Sequence, residues 1–293
     1  MNTDSTDTAA EPGAGALVGE IQRPRVWPVL GRVAFFWLVY ALVLVLGLGG
    51  TLAGAAPRGW QMFICGIVAS VGTMIFTWWL LRREGWRLRA VGLGWERGSI
   101  GRFFAGVGLG IGLYAVMAGI SAALGGMRWE RAPDVALAAF GMQAVTFLAV
   151  GSMEELGFRA YPLRRLEPVL GLWGAQGVVA VVFGLGHYLQ GWPWPAAFFG
   201  AGLGSLVFGM AAMASRGLAL PIGLHAAGNL TDWMLGGKGP TGVWKVVVAE
   251  DAQGRSQFVG TFSYYGVMSA ATAGFWWWHR HRLRAAAANL KTP

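Results

Sequence analysis

Long uncharged runs, rather than alternation, dominate the pattern of this chain. Residues 33–56, 60–81, 103–127 and 256–278 each hold at least 22 positions without Lys, Arg, Asp or Glu. About 20 apolar residues cross a bilayer as a helix, so each run predicts a span. A further uncharged run, 135–153, ends at the adjacent Glu154 and Glu155, and 48 residues from 168 to 215 lack any Lys, Arg, Asp or Glu. The latter stretch predicts two helices, broken at the QGWPWP of residues 190–195. A seventh span begins after Arg216-Gly217 and exits at Gly236-Gly237. The expected fold class is therefore all-α, a polytopic membrane bundle of about eight transmembrane helices. Its spans lie near 32–54, 60–81, 103–125, from Pro133-Asp134 into the double glutamate, two within 168–215, one from 217, and 261–278. Residues 1–31 are expected to be a disordered tail, 32–279 the membrane domain and 280–293 a basic tail. Residues 244–248 and 255–259, flanking Asp251-Ala252-Gln253-Gly254, suggest a small hairpin outside the membrane. Spacings of four in Gly106/Gly110 and Gly108/Gly112 allow close helix approach.

Composition strengthens the membrane reading. The chain of 293 residues is 55% hydrophobic and 13% charged, with a mean hydropathy of +0.50. Sixteen Trp, several beside charges at run ends, fit interfacial belts. A net charge of +9 would suit nucleic acid, but its placement follows the membrane instead. With the N-terminus inside, 17 of the 23 Lys and Arg fall on the inner side and six on the outer. That split predicts cytoplasmic termini, integration in a bacterial plasma membrane and no nucleic-acid partner. The single Cys65 allows no intrachain disulfide and lies in an apolar run.

Carboxylates at membrane depth cost about 2.5 to 3.5 kcal/mol each on insertion scales, so Glu154 and Glu155 mark a functional site. On a helix Glu155 and Arg159, four apart, share a face and can pair, while Glu154 points elsewhere. The other polar residues at depth are His187, and His225 with Asn229 four residues on and Asp232 three further. If the fourth and fifth spans form a hairpin turning at 168–171, Glu154 and His187 lie at equal height. His225 is then about 12 Å from the same boundary and Glu154 about 15 Å at 1.5 Å per residue, so these side chains converge in the cytoplasmic half.

Two carboxylates, two imidazoles and a carboxamide in a dry pocket suit hydrolysis by an activated water. A carboxylate beside an imidazole can deprotonate water, and a second imidazole with an amide one turn away can donate to an oxyanion. No G-x-S-x-G is present, so serine chemistry is poorly supported. A zinc site with Glu154, His187 and His225 as ligands is the rival reading, though no H-E-x-x-H occurs.

Three motifs lie in order: E-E-x-x-x-R at Glu154-Glu155-Leu156-Gly157-Phe158-Arg159, F-x-x-x-H at Phe183 to His187, and H-x-x-x-N at His225 to Asn229. In these the chain resembles the CPBP family, the CAAX proteases and bacteriocin-processing enzymes also called Abi-type proteins. The resemblance implies a glutamate-dependent intramembrane endopeptidase of eight helices, acting on a membrane-associated protein or peptide in the lipid bilayer, without a cofactor. Glu154 and His187 would activate water, His225 and Asn229 would form the oxyanion hole, and Glu155 and Arg159 would brace the site with Phe183 packed against it. A non-enzymatic immunity factor or scaffold, and a solute or proton-coupled transporter, remain the other readings of the same residues.

Overall fold

The computed structural model describes residues 25–50, 58–132, 135, 137–239 and 241–289. Among the described residues there are eight α-helices: α1 Val26–Gly50, α2 Gln61–Arg83, α3 Ser99–Gly125, α4 Leu137–Glu155, α5 Tyr161–Leu189, α6 Gly202–Ser215, α7 Ala219–Met234 and α8 Gln253–Asn289. Two four-residue strands, β1 Arg128–Arg131 and β2 Trp244–Val247, complete it. Most of the expected N-terminal tail, and the Pro133-Asp134 start of the fourth span, lie outside the described residues.

The burial pattern is that of a protein in lipid. Leu38, Leu42, Leu46, Val71, Ile75, Phe104 and Leu124 face outward, whereas Glu155, Arg159, Gln176, Ser205 and Ser215 are fully buried or nearly so. Water would reverse this arrangement; hydrocarbon favours it, and the chain is an integral membrane protein. Among the described residues five helical stretches are long and apolar enough to cross a membrane: Val26–Gly49, Gln61–Arg83, Ser99–Gly125, Leu137–Leu189 and Ala196–Ser215. The 53-residue stretch is not one rod, because Gly171 inside it takes φ 70° and ψ 171°. Phe158 and Phe183 on either side of that break have ring centroids 5.0 Å apart, although a straight helix would separate them by ~37 Å. The chain therefore reverses at Gly171, where a positive φ strains any residue with a Cβ. The 16 residues of α7 are too few for the length criterion, and α8 is diluted by Gly, Ser and Tyr.

Contacts tie alternate helix ends into two faces. At one end Arg32 at the start of α1 and Arg165 near the start of α5 both reach Glu84 just past α2, at 3.4 and 3.3 Å. The end of α6 is covered there by arginines of three other helices. Arg164 donates to Ala212 O at 2.8 Å, Arg282 to Ala214 O at 2.6 Å and Arg102 to Ser215 O at 3.5 Å. Cations on the last carbonyls of a helix satisfy orphan acceptors and oppose the negative end of its dipole. At the other end β1 pairs antiparallel with β2, and Trp129 Nε1 donates to Leu235 O at 3.1 Å.

Two expectations change here. The predicted hairpin does not form: β2 pairs with β1, and residues 255–259 lie inside α8. Glu250 and Asp251 precede α8 in a short 3-10 turn, where acidic groups favour a helix start. Of the two glycine pairs only Gly106/Gly110 is at a contact, against Leu220, Leu224 and Gly228 of α7; Gly108 and Gly112 have nothing near them. Gly110→Leu is expected to lower stability by about 1–3 kcal/mol through overpacking against α7. Gly108→Leu should be neutral or slightly stabilising, since Gly costs a helix up to ~1 kcal/mol. Thermal unfolding in detergent distinguishes the two.

Candidate active site

Between α4 and α5 the helix widens to a π turn over Leu156–Ala160, immediately before Pro162. In the i→i−5 register Pro162 would bond to Gly157 O, and proline has no N–H to give. Trp37 Nε1 of α1 donates to that carbonyl at 3.2 Å, and Tyr40 Oη donates to Met153 O at 3.4 Å. The tyrosine ring lies where a Cβ at Gly157 would go. Pro162 thus follows a widened turn, and the sharp break is Gly171.

The two glutamates just before this turn differ in their surroundings. The Glu155 side chain is wholly buried, 3.3 Å from Arg159 Nη1. Glu154 keeps 14% of its side chain exposed and lines a cavity of about 690 Å³. Arg159 Nη2 donates to Ser205 Oγ at 2.8 Å and Ser205 O at 3.2 Å. Its guanidinium carbon lies 4.7, 5.5 and 5.7 Å from the ring centroids of Phe183, Phe208 and Phe158. Aromatic faces and a carboxylate thus surround a cation with no access to water.

His225 stands between the glutamates. Its Nδ1 lies 2.9 Å from Glu155 Oε1 and its Nε2 3.3 Å from Glu154 Oε2. The ring is stacked on Phe208, centroids 4.1 Å apart and 9° from parallel. Gly151 of α4 permits this reach, because Ala226 and the His225 Cβ occupy the space beside it. A neutral imidazole donates from one nitrogen only, so engaging both carboxylates as donor requires the imidazolium.

His187 and Asn229 line the same cavity as Glu154 and His225, as do Phe183 and Asp232. The structure thus brings the four predicted catalytic residues to one space and puts Glu155 and Arg159 beneath it. His225 is the histidine that lies against Glu154, Nε2 to Oε2. His187 Nδ1 lies 3.0 Å from Phe183 O, an acceptor, so Nδ1 carries the proton; a neutral ring so placed keeps its lone pair on Nε2. Among the described residues no group of three His, Cys, Asp and Glu side chains is set to hold a metal ion.

Several contributors escaped sequence reasoning. Ser205 and Phe208 are three apart on α6, on one face, but in a run rich in Gly and Ala nothing points to an arginine partner. The cavity rim is also new: Gly59 and Met62, Gln190 and Trp192 of the turn after α5, and Lys238, 3.5 Å from Asp232.

Residues 136–231, about a third of the chain, match the family model described as Type II CAAX prenyl endopeptidase Rce1-like. Over these residues the chain is similar to the Rce1-like CAAX protease family. No curated protein and no solved structure matches the chain. The Rce1-like segment runs from the start of α4 to α7 and contains Glu154, Glu155, Arg159, His187, His225 and Asn229, so the family match and the cavity coincide.

Arg159→Met is expected to cost about 3–5 kcal/mol, because it leaves the Glu155 carboxylate buried without its cation. Glu155→Gln combined with Arg159→Met should recover much of that loss. Unfolding midpoints of the purified variants in detergent give the comparison.

Proposed function

We propose that the chain is a glutamate-dependent intramembrane endopeptidase that hydrolyses a peptide bond of a membrane-associated protein near its C-terminus. The observation that carries this reading is the convergence of Glu154, His187, His225 and Asn229 on one cavity, with His225 set between Glu154 and Glu155. Eight spans with both termini in the cytoplasm form its frame.

Glu154 removes a proton from a water that His187 Nε2 helps to orient through its lone pair. The water oxygen attacks the scissile carbonyl carbon. His225 Nε2–H and the Asn229 amide donate to the oxyanion that forms; removing one such donor costs ~3 kcal/mol. The C–N bond then breaks, the amine takes the proton held by Glu154, and the products are a carboxylate and an amine. Glu155 acts through His225: as acceptor for Nδ1–H it fixes the ring so that Nε2 faces the reacting atoms. Arg159 holds Glu155 in the form that accepts. The residues act without a metal in this scheme.

Glu154→Gln should abolish cleavage with the protein still folded, and Asn229→Ala should lower kcat about 10²–10³-fold. Mass spectrometry of membrane-protein C-termini, comparing cells with the native chain and with Glu154→Gln, reads the first effect. C-termini unchanged by Glu154→Gln, with a phenotype that persists, would favour a scaffold. A chelator should leave the rate unchanged; inhibition rescued by zinc would contradict the metal-free scheme.

A further inference from the structure

The cavity and the basic residues lie at opposite ends of the bundle. Glu154, from the end of α4, and Phe208, His225 and Met268, from within α6, α7 and α8, form the cavity floor. From there the lining climbs in one direction only. Gln143 lies near the start of α4 and Thr261 near the start of α8, and Gly59, Gln190, Trp192 and Lys238 belong to the connections at that end. This is the end at which β1 pairs with β2.

Toward the other end the described residues are closely packed. Arg159, Leu163, Leu166, Ala211, Ala212, Ser215 and Leu218 are 0–3% exposed there. About ten residues of α4 and α5, ~15 Å of packed helix, separate Glu154 from Arg164. Beyond them Arg102, Arg164 and Arg282 lie on the last carbonyls of α6, and Leu218 N donates to Gly92 O at 3.2 Å. A peptide arriving from this end would have to displace buried arginine contacts and core side chains together.

The sealed end is also the arginine-rich one, with Arg82, Arg83, Arg87, Arg89, Arg97 and Arg102 in and around the α2–α3 connection. Basic segments flanking spans stay in the cytoplasm. We propose that the cavity is entered from the non-cytoplasmic face of the membrane, so that its substrate is a membrane-associated polypeptide whose cleaved segment is exposed on that side. The substrate class rests on the protease reading above; the direction of entry does not. The rim suits an extended polar backbone, since Gln143 and Gln190 offer amide donors and acceptors and Trp192 an apolar wall. The floor stays nearer the basic end, so the scissile bond would be drawn well below the surface.

The single native cysteine makes the test direct. Cys65 is buried and unpaired, and Cys65→Ala provides a cysteine-free background. In that background Gln190→Cys at the rim, Thr146→Cys inside the cavity and Arg87→Cys at the basic end are each expressed in the full chain. Sealed right-side-out vesicles are treated with a membrane-impermeant thiol reagent, then permeabilised and treated again. Gln190→Cys and Thr146→Cys should label before permeabilisation and Arg87→Cys only after it. Labelling of Arg87→Cys in sealed vesicles with loss of label at Gln190→Cys would overturn the orientation. Label at Gln190→Cys but none at Thr146→Cys, before or after permeabilisation, would overturn entry by this route. The readout needs no catalysis: a chain that labels as expected but cleaves nothing counts against the protease reading and leaves the direction of entry standing.

Discussion

The ion pair of Glu155 with Arg159 is the contact on which the rest of the site depends. Both side chains are wholly buried, 3.3 Å apart, and a lone charge in such a place would be strongly destabilising. The pair is tolerable because its remaining demands are partly met. Ser205 accepts from the guanidinium, three phenylalanines face it, and His225 engages the carboxylate. Ser205 and Phe208 come from α6, Phe183 from α5 and His225 from α7, so the ion pair at the end of α4 joins α4, α5, α6 and α7. Arg159 is in this sense a structural centre and an electrostatic support at once, and the π turn that carries it is where the chain departs from regular α-helix.

Above that base the same residues do different work because of their surroundings. Adjacent glutamates on one helix point to different sides, and here one turns into protein and the other into a cavity. Phe208 links the two levels: one face of the ring lies along His225 and the guanidinium of Arg159 lies within cation–π distance. The glycines of α3 and α4 set how near α7 comes, and hence how far His225 extends toward the carboxylates. Helix packing by small residues, the usual means of association in lipid, is here also a means of placing a reactive group.

The all-helical membrane architecture was legible from uncharged runs, and so was the reversal near Gly171, from the spacing of Pro168 and Gly171. The i, i+4 relation of Glu155 and Arg159 was legible as well, because one turn of helix determines it. Partners supplied by other helices were not. Trp37 and Tyr40 cap carbonyls more than 110 residues away, and Ser205 meets Arg159 across 46. The strands β1 and β2 are four residues each and pair across more than 100 positions, so local alternation pointed 255–259 to the wrong structure. Height along the membrane normal could be computed from sequence, but which face of each helix turned inward could not, and His225 rather than His187 touches Glu154 for that reason.

The central claim is that Glu155, held by Arg159, sets the proton on His225 so that Nε2 serves the reacting atoms. The chain has four histidines, so ring-¹⁵N histidine labelling gives few signals, and His225→Ala assigns the one of interest. Nitrogen-15 NMR of the full-length protein in detergent is predicted to show His225 protonated at both Nδ1 and Nε2, with the Nδ1 proton disturbed by Glu155→Gln. A His225 ring protonated at Nε2 alone, and indifferent to Glu155→Gln, would contradict the account.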